Sequence, residues 1–472
     1  TVQQQRPCLR TLVGFKGEYV MEQQAVEQLI KRRIADKQER IQQIGRQIWT
    51  HAEMGFREFE TAKLAEAVFR ECGLYHIQTG LAVTGVKAYL KPPVPGERVL
   101  ALIGEMDALP MDQHPDANKQ TGAAHCCGHN AQMAALLGAA YTLSCPEIKH
   151  VLDGNVAFLA VPAEEYVDIS FKNGHIRKGI LEFGGGKCEL IRLGVFDDVS
   201  VALGHHTIPN IGYAIANGTT NGFVNKIATF HGRSAHAADA PHKGVDALSA
   251  ATLALHAVDI QRETFRDQDH VRIHSFLPMA GEAMNVVASM TSIESSVRAC
   301  NILAVQNASL KYDRAMKAGA MSTGCRVEID TIPGYLPTVP VNDPSVLTTL
   351  LEEYQTSTHS MVYRNADFHE NGSTDFGDLS QLLPVLQFRT GGYEGSLHDI
   401  SLHIVDEELA YVRPAEIFSL AAYRLLQDGA KELEKIVEEN PPLLTKEAYL
   451  CYMRSAKTHQ TFLGDDVATL ET

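Results

Sequence analysis

From Val99 onward, apolar runs of strand length alternate with segments of helical periodicity, and this alternation leaves the chain few folds to choose from. Residues 99–103 read as a strand, 133–143 as a buried helix, 156–161 as a strand, 188–193 as a helix and 199–203 as a strand. Strands that are apolar at every position are buried on both faces. That implies an α/β fold, a mostly parallel sheet flanked by helices. A polar cluster follows each strand: Asp107, then Glu164 and Glu165, then His205 and His206. In open α/β sheets ligands bind beyond the carboxyl ends of the strands, so these clusters can converge on one site.

The rest of the chain fits around this unit. Residues 26–48 carry apolar side chains at three- and four-residue steps and read as a long amphipathic helix, followed by a second helix over 58–72 and short extended pieces at 77–79 and 86–90. Past Gly212 the texture changes. Strand 223–230, helix 245–260, strands 271–276 and 285–298, helix 305–320 and strand 326–332 make a β-α-β-β-α-β order, that of a small α/β sandwich. The proline-rich stretch 333–340 is its return linker. Helices at 347–354 and 414–427 and a strand at 385–389 then complete the first sheet. The expected division is a larger domain of residues 1–211 and 336–472, interrupted by a smaller domain of residues 212–335. The tail after Pro441 has no clear pattern.

A chain of 472 residues exceeds one ordinary core, which agrees with two or three domains. Its formal charge of −15, without a basic run, excludes a nucleic-acid polyanion as the main partner. No apolar run approaches the length of a membrane span, so no membrane partner is expected. The nine cysteines are odd in number and scattered, which is no disulfide framework and points to a reducing cytoplasm. Residues 1–20 lack an apolar signal core and read as a tail.

The densest chemistry lies at 125–130, where His125, Cys126, Cys127 and His129 place four potential ligands in six residues, just before the buried helix. Thiolate beside imidazole at a strand–loop–helix junction suits a transition metal, and a polar helix start with a spare cysteine is the alternative. Asp107 can orient a metal-bound imidazole or cap a turn before Pro110. Glu164 and Glu165 repel each other, so a cation would favour the pair; one can bind metal while the other moves a proton, or both can be solvated. His398 follows the strand at 385–389, as His206 follows its own. His236 lies among small residues in the inserted domain, and Asn285 and Arg298 flank one of its strands, where an amide and a guanidinium can hold a carboxylate or simply face solvent.

Taken together, these stretches resemble the metal-dependent aminoacylase/carboxypeptidase family of amidohydrolases, nearest the aminobenzoyl-glutamate hydrolase and indole-acetyl-amino-acid hydrolase branch. The matching segments GEMDALP, CGHN, AEE, GVFDDV, HHTIP, GRSAHAADAPHKGVDAL, GEAMNVV, STDFGDLSQLLPV and GSLH run in the family's order from residue 104 to 398. The resemblance implies that the larger domain is catalytic, that the smaller is a lid that also forms a homodimer, and that each chain holds two divalent ions, zinc or manganese, with cobalt an option. Carried over by position, Cys127, His129, Glu165, His206 and His398 match metal ligands and Glu164 the general base. His236 matches a lid histidine that reaches the partner's site and stabilises the oxyanion. Asn285 and Arg298 match substrate-binding positions, and Asp107, within the matching GEMDALP segment, is grouped with the catalytic residues Glu164 and His236. The implied activity is metal-dependent hydrolysis of the amide bond of an N-acyl or N-aroyl amino acid, such as aminobenzoyl-glutamate. A dipeptidase, a carboxypeptidase or a catalytically silent ligand-binding relative are the alternatives. Two departures from the family stand out: residues 166–183 intervene between the paired glutamates and a glycine-rich turn, and Cys126 replaces a small residue.

Overall fold

The computed structural model describes residues 23–464, so the reading of residues 1–20 as a tail lies outside the described residues. Its centre is an eight-stranded sheet in the order Tyr75–Leu81, Gly85–Tyr89, Asn155–Val161, Val99–Glu105, Val201–Thr207, Val385–Thr390, Tyr213–Ala216, Met361–Arg364. The four middle strands run parallel to one another. Their apolar residues divide between the two faces: Leu100 and Leu102 enter one core, and Val99, Ala101 and Ile103 the other. The expected mostly parallel sheet flanked by helices is therefore present, and its strands read as continuously apolar because both faces are covered.

One face is covered by Gln23–Thr50, Arg413–Leu426 and, between them, His129–Leu143, a helix buried at all fifteen positions. Gly138 lets that helix approach its neighbours: an added Cβ would lie 2.7 Å from Ala415 Cβ and 2.9 Å from Ile41 Cδ1. Among the described residues no helix is long and apolar enough to cross a membrane.

The second sheet is antiparallel, in the order Arg272–Ala280, Met290–Ala299, Gly222–His231, Arg326–Pro333, Thr458–Leu463. Helices Ala247–Ile260 and Ile302–Thr323 pack on one of its faces. The β-α-β-β-α-β order is as read from the sequence, but the sheets do not divide the chain at 212 and 335. Tyr213–Ala216 pairs within the large sheet, and Thr458–Leu463 adds a fifth strand to the small one. This last strand was illegible because its alternating residues are mostly polar, and only pairing with Arg326–Pro333 fixes it as a strand. The strand expected over 285–298 begins only at Met290. Before it, Ala237 N–H donates to Asn285 O at 3.0 Å and Val287 N–H to Ala235 O at 2.9 Å, so this segment pairs with the His236 loop instead.

Leu137 is fully buried in the middle of the central helix. Leu137→Ala is expected to cost about 2–5 kcal/mol, read as a lower urea midpoint at unchanged slope. A loss below about 1 kcal/mol would contradict a helix packed on every side.

Candidate metal centre

The carboxyl ends of the middle strands deliver the polar clusters to one floor. Asp107 follows the Val99–Glu105 strand and is fully buried. Its Oδ1 faces His129 Nδ1 at 3.2 Å and its Oδ2 accepts from the Glu165 N–H at 2.9 Å, while its backbone oxygen accepts from His129 Nδ1 at 2.9 Å. Burial alone would raise this carboxyl, but these partners hold it down to about 2. One ionised side chain thus brackets a histidine from the helix start and a glutamate from the next strand.

With Nδ1 donating to Asp107, the His129 ring turns Nε2 toward the floor, 3.2 Å from Glu105 Oε2. His206 is set the same way: its Nδ1 donates to Thr207 O at 2.9 Å, and its Nε2 lies 3.4 Å from Cys127 Sγ. His398 Nε2 lies 3.3 Å from the same sulfur and 3.1 Å from Glu165 Oε1. His398 takes a left-handed backbone (φ 61), and its N–H donates to Cys126 O at 2.7 Å. Gly128, also left-handed (φ 82), turns the chain from Cys127 into the helix, and any side chain there would collide with Thr207.

The donor atoms fall into two triads, Cys127/His129/His206 and Cys127/Glu165/His398, each within 4.8 Å, and the two share Cys127. His129 Nε2 faces Glu105 Oε2 at 3.2 Å and Glu165 Oε1 faces His398 Nε2 at 3.1 Å. Imidazole, carboxylate and thiol donors that converge in one buried place are a ligand set that a divalent cation taking N, S and O donors would satisfy. A third group, Glu105/His129/Glu164, also falls within 4.8 Å. Glu105 is already engaged there, since Gln132 Nε2 donates to it at 2.7 Å and the fully buried Lys187 ammonium bridges it to Asp375.

Glu164 lies on the same floor. Burial pushes its carboxyl well above the ordinary range, and Glu105, Glu165 and Asp375 push it further, so it holds a proton readily. Tyr335 donates its hydroxyl hydrogen to the Glu164 backbone oxygen, and Ala163 before it takes φ 51, a conformation unusual for alanine. Above the floor opens a cleft of about 640 Å³ lined by residues of both sheets, Arg298 and Asn225 from the small one among them.

Of the residues singled out in the sequence, the structure brings together Asp107, Cys127, His129, Glu164, Glu165, His206 and His398, with Arg298 on the cleft wall. His236 and Asn285 do not line this cleft; they are exposed and adjacent to each other on the small domain. His205 and His206 lie within the Val201–Thr207 strand rather than after it, so alternation sends them to opposite faces. His205 packs against Phe388 and Phe418 with Nε2 on Thr390 Oγ1 at 2.8 Å, away from the sulfur. Cys126 is a buried free thiol whose pKa burial raises to about 11, an inert side chain rather than a disulfide partner. The 166–183 insertion contains the helix Ile169–Arg177 and reaches the cleft through Tyr166, Val167 and Ile169. Sequence reasoning missed Glu105, Lys187 and Asp375. The two-residue step from Glu105 to Asp107 was the available signal; nothing local marks Lys187 as buried.

The sequence model of Peptidase family M20/M25/M40 matches residues 101–424. A probable hydrolase of Synechocystis sp. is 30% identical over 274 residues, 55% of this chain and 63% of that protein. One component of the p-aminobenzoyl-glutamate hydrolase of Escherichia coli is 29% identical over 303 residues, 62% of this chain and 58% of that protein. The chain thus spans less than two thirds of the length of either relative. A Bacillus subtilis crystal structure, described as a dinuclear metal binding peptidase from the M20 family, shares the fold with a TM-score of 0.60 at 22% identity, covering 85% of this chain and 99% of that one.

Asp107→Asn keeps one acceptor and turns a donor toward an N–H. It is expected to weaken divalent-metal affinity 10–100-fold, about the usual effect of removing a ligand-orienting group, measured by chelator competition. Unchanged affinity would show that the bracket orients neither ligand.

Proposed function

The chain belongs to the M20/M25/M40 family of peptidases, and from that membership and the cleft geometry we propose that it is a dinuclear metal hydrolase of the amide bond of N-acyl or N-aroyl amino acids. The observation that carries this reading is the single thiol Cys127 shared by two donor triads, with the buried carboxylate of Glu164 on the same floor. Cys127, His129 and His206 would hold one divalent ion, and Cys127, Glu165 and His398 the other. Thiol and imidazole donors suit zinc, with manganese or cobalt as alternatives. Two such ions supply Lewis acidity, polarising an amide carbonyl and making a water at the floor more acidic.

Glu164 is the general base of this proposal. It takes the proton of the attacking water and passes it to the leaving nitrogen. Its raised proton affinity suits the second step, and its carboxylate form the first. Asp107 acts through His129 and Glu165 and positions them. Arg298, whose Nη1 donates to Ser373 Oγ at 3.1 Å, faces the cleft and would hold the substrate carboxylate. Tyr166, Phe223 and Tyr335 meet edge-on with centroids 4.9–5.5 Å apart and line the same cleft, a wall suited to an aromatic acyl group.

His236 is the residue this arrangement leaves unused in its own chain. We place it, with Asn285, in the cleft of a partner subunit of a homodimer, where it would stabilise the oxyanion. The lid in this reading is the Gly222–Pro333 unit with the Thr458–Leu463 strand. The buried free thiols Cys126, Cys127 and Cys188 suit a reducing cytoplasm.

Glu164→Gln is expected to retain two equivalents of metal by elemental analysis while turnover of N-acyl amino acids falls by about 10²–10⁴-fold; unchanged turnover would remove its role. A panel of N-acyl amino acids, aminobenzoyl-glutamate and dipeptides, assayed with zinc and with manganese, identifies the acyl group. For the dimer, mixing inactive His236→Ala and Glu164→Gln subunits should restore part of the activity. No recovery in verified heterodimers would place His236 outside the reaction.

A further inference from the structure

One arm of the cleft carries a charge that the proposed chemistry does not use. Arg389, on the Val385–Thr390 strand, is in register with His206 on the neighbouring parallel strand. Registered residues on adjacent strands present their side chains to the same face. Both line the cleft, so the guanidinium lies beside a proposed metal ligand. Its Nη1 and Nη2 donate to Glu370 at 3.1 and 2.6 Å, and Arg364 Nη1 donates to the same carboxylate at 2.7 Å. The Arg389 Nε–H is buried and has no hydrogen-bond partner.

Two guanidiniums against one carboxylate leave one positive charge over. Burial alone would raise the Glu370 carboxyl, but Arg389 and Arg364 hold it down to about 2, so that carboxylate is ionised and already spent on them. Gln387, Thr374 and Thr220 complete the arm; all three are neutral, and they line both the main cleft and a small cavity of about 30 Å³ behind it. Besides Glu370, and Glu164 and Glu165 on the floor, the other acidic group of the cleft is Glu294, four residues from Arg298 on the lid strand and so about 13 Å along it. A half-buried guanidinium with a buried, unused N–H and surplus charge is unfavourable without an anion.

We infer that this arm binds a second anionic group of the substrate, a carboxylate apart from the one assigned to Arg298, so that the chain acts on dicarboxylic N-acyl amino acids. The inference rests on the amide-hydrolase reading for the position of the scissile bond. The second carboxylate can come from two sources with the same chemistry: the side chain of an acidic amino acid, or a dicarboxylic acyl group.

The test is calorimetric binding to the zinc-loaded Glu164→Gln chain, which separates affinity from turnover. One pair of probes is N-acetyl-L-glutamate against N-acetyl-L-glutamine; the other is N-succinyl-L-alanine against its succinamoyl amide. The acid is expected to bind at least about tenfold tighter than its neutral isostere in one pair, about 1.4 kcal/mol, and that pair identifies the source. Adding Arg389→Gln should bring the ratio below about threefold, and because the ratio is internal to each preparation, loss of folded protein cancels. Ratios near one in both pairs on the Arg389-containing chain overturn the inference whether or not the variant folds, and so does a ratio that survives Arg389→Gln. Retained ratios with no turnover by the unsubstituted zinc-loaded chain would instead fail the amide-hydrolase reading and leave the anion subsite standing.

Discussion

Buried charge governs this structure. Glu105, Asp107, Glu164 and Glu165 are buried at the carboxyl ends of neighbouring strands, and Asp375 is buried beside them at the start of the Phe376–Ser380 helix. Burying carboxylates costs several kcal/mol each unless they are paired or hydrogen-bonded. Two buried ammonium groups reach this floor: Lys187 bridges Glu105 and Asp375, and Lys172 donates to Glu165 O at 2.6 Å. The carboxylates outnumber the ammonium groups, the more so as Glu58 is also buried beside Asp107, and divalent cations would offset the excess. Burial and the neighbouring carboxylates push the Glu164 carboxyl and the Cys127 thiol up, while the partners of Glu105, Asp107 and Glu165 hold those carboxyls down.

The same economy explains how the insertion and the lid are joined to the floor. Tyr166, from the insertion, and Phe223 and Tyr335, from the two chain segments that lead into and out of the small sheet, form one aromatic cluster. Tyr335 reaches Glu164, and Arg298 stacks over Phe223 at 5.1 Å. The lid's attachment, the base and a substrate-facing guanidinium thus share one set of contacts. The Thr458–Leu463 strand adds a third tie, because Lys446–Ala456 packs on the large domain through Tyr449 and then continues into the lid sheet.

Much of this was legible along the chain. The alternation of strand and helix located the large sheet, because strands buried on both faces must be apolar throughout. The segments carrying Cys127, His129, Glu164, Glu165, His206 and His398 could be singled out because thiol, imidazole and paired carboxylates are rare together after strands. Strand alternation turns His206, and not its neighbour His205, toward the Cys127 sulfur. Lys187, Asp375, Arg389 and Glu370 were silent, since an isolated lysine or arginine looks like surface until its neighbours are known. Asn285 was misplaced on a strand because its segment is paired to the His236 loop.

The sequence by itself determined the sheet, the inserted sandwich and the residue types able to hold metal, because periodicity and local composition are written along the chain. Only the tertiary structure decided which ligand atoms converge, which tautomers the histidines take and where charge is left uncompensated. Those depend on contacts such as Glu165 with Asp107 and Arg389 with Glu370, between residues 58 and 19 positions apart, and the energy of a buried charge is set by what surrounds it in space.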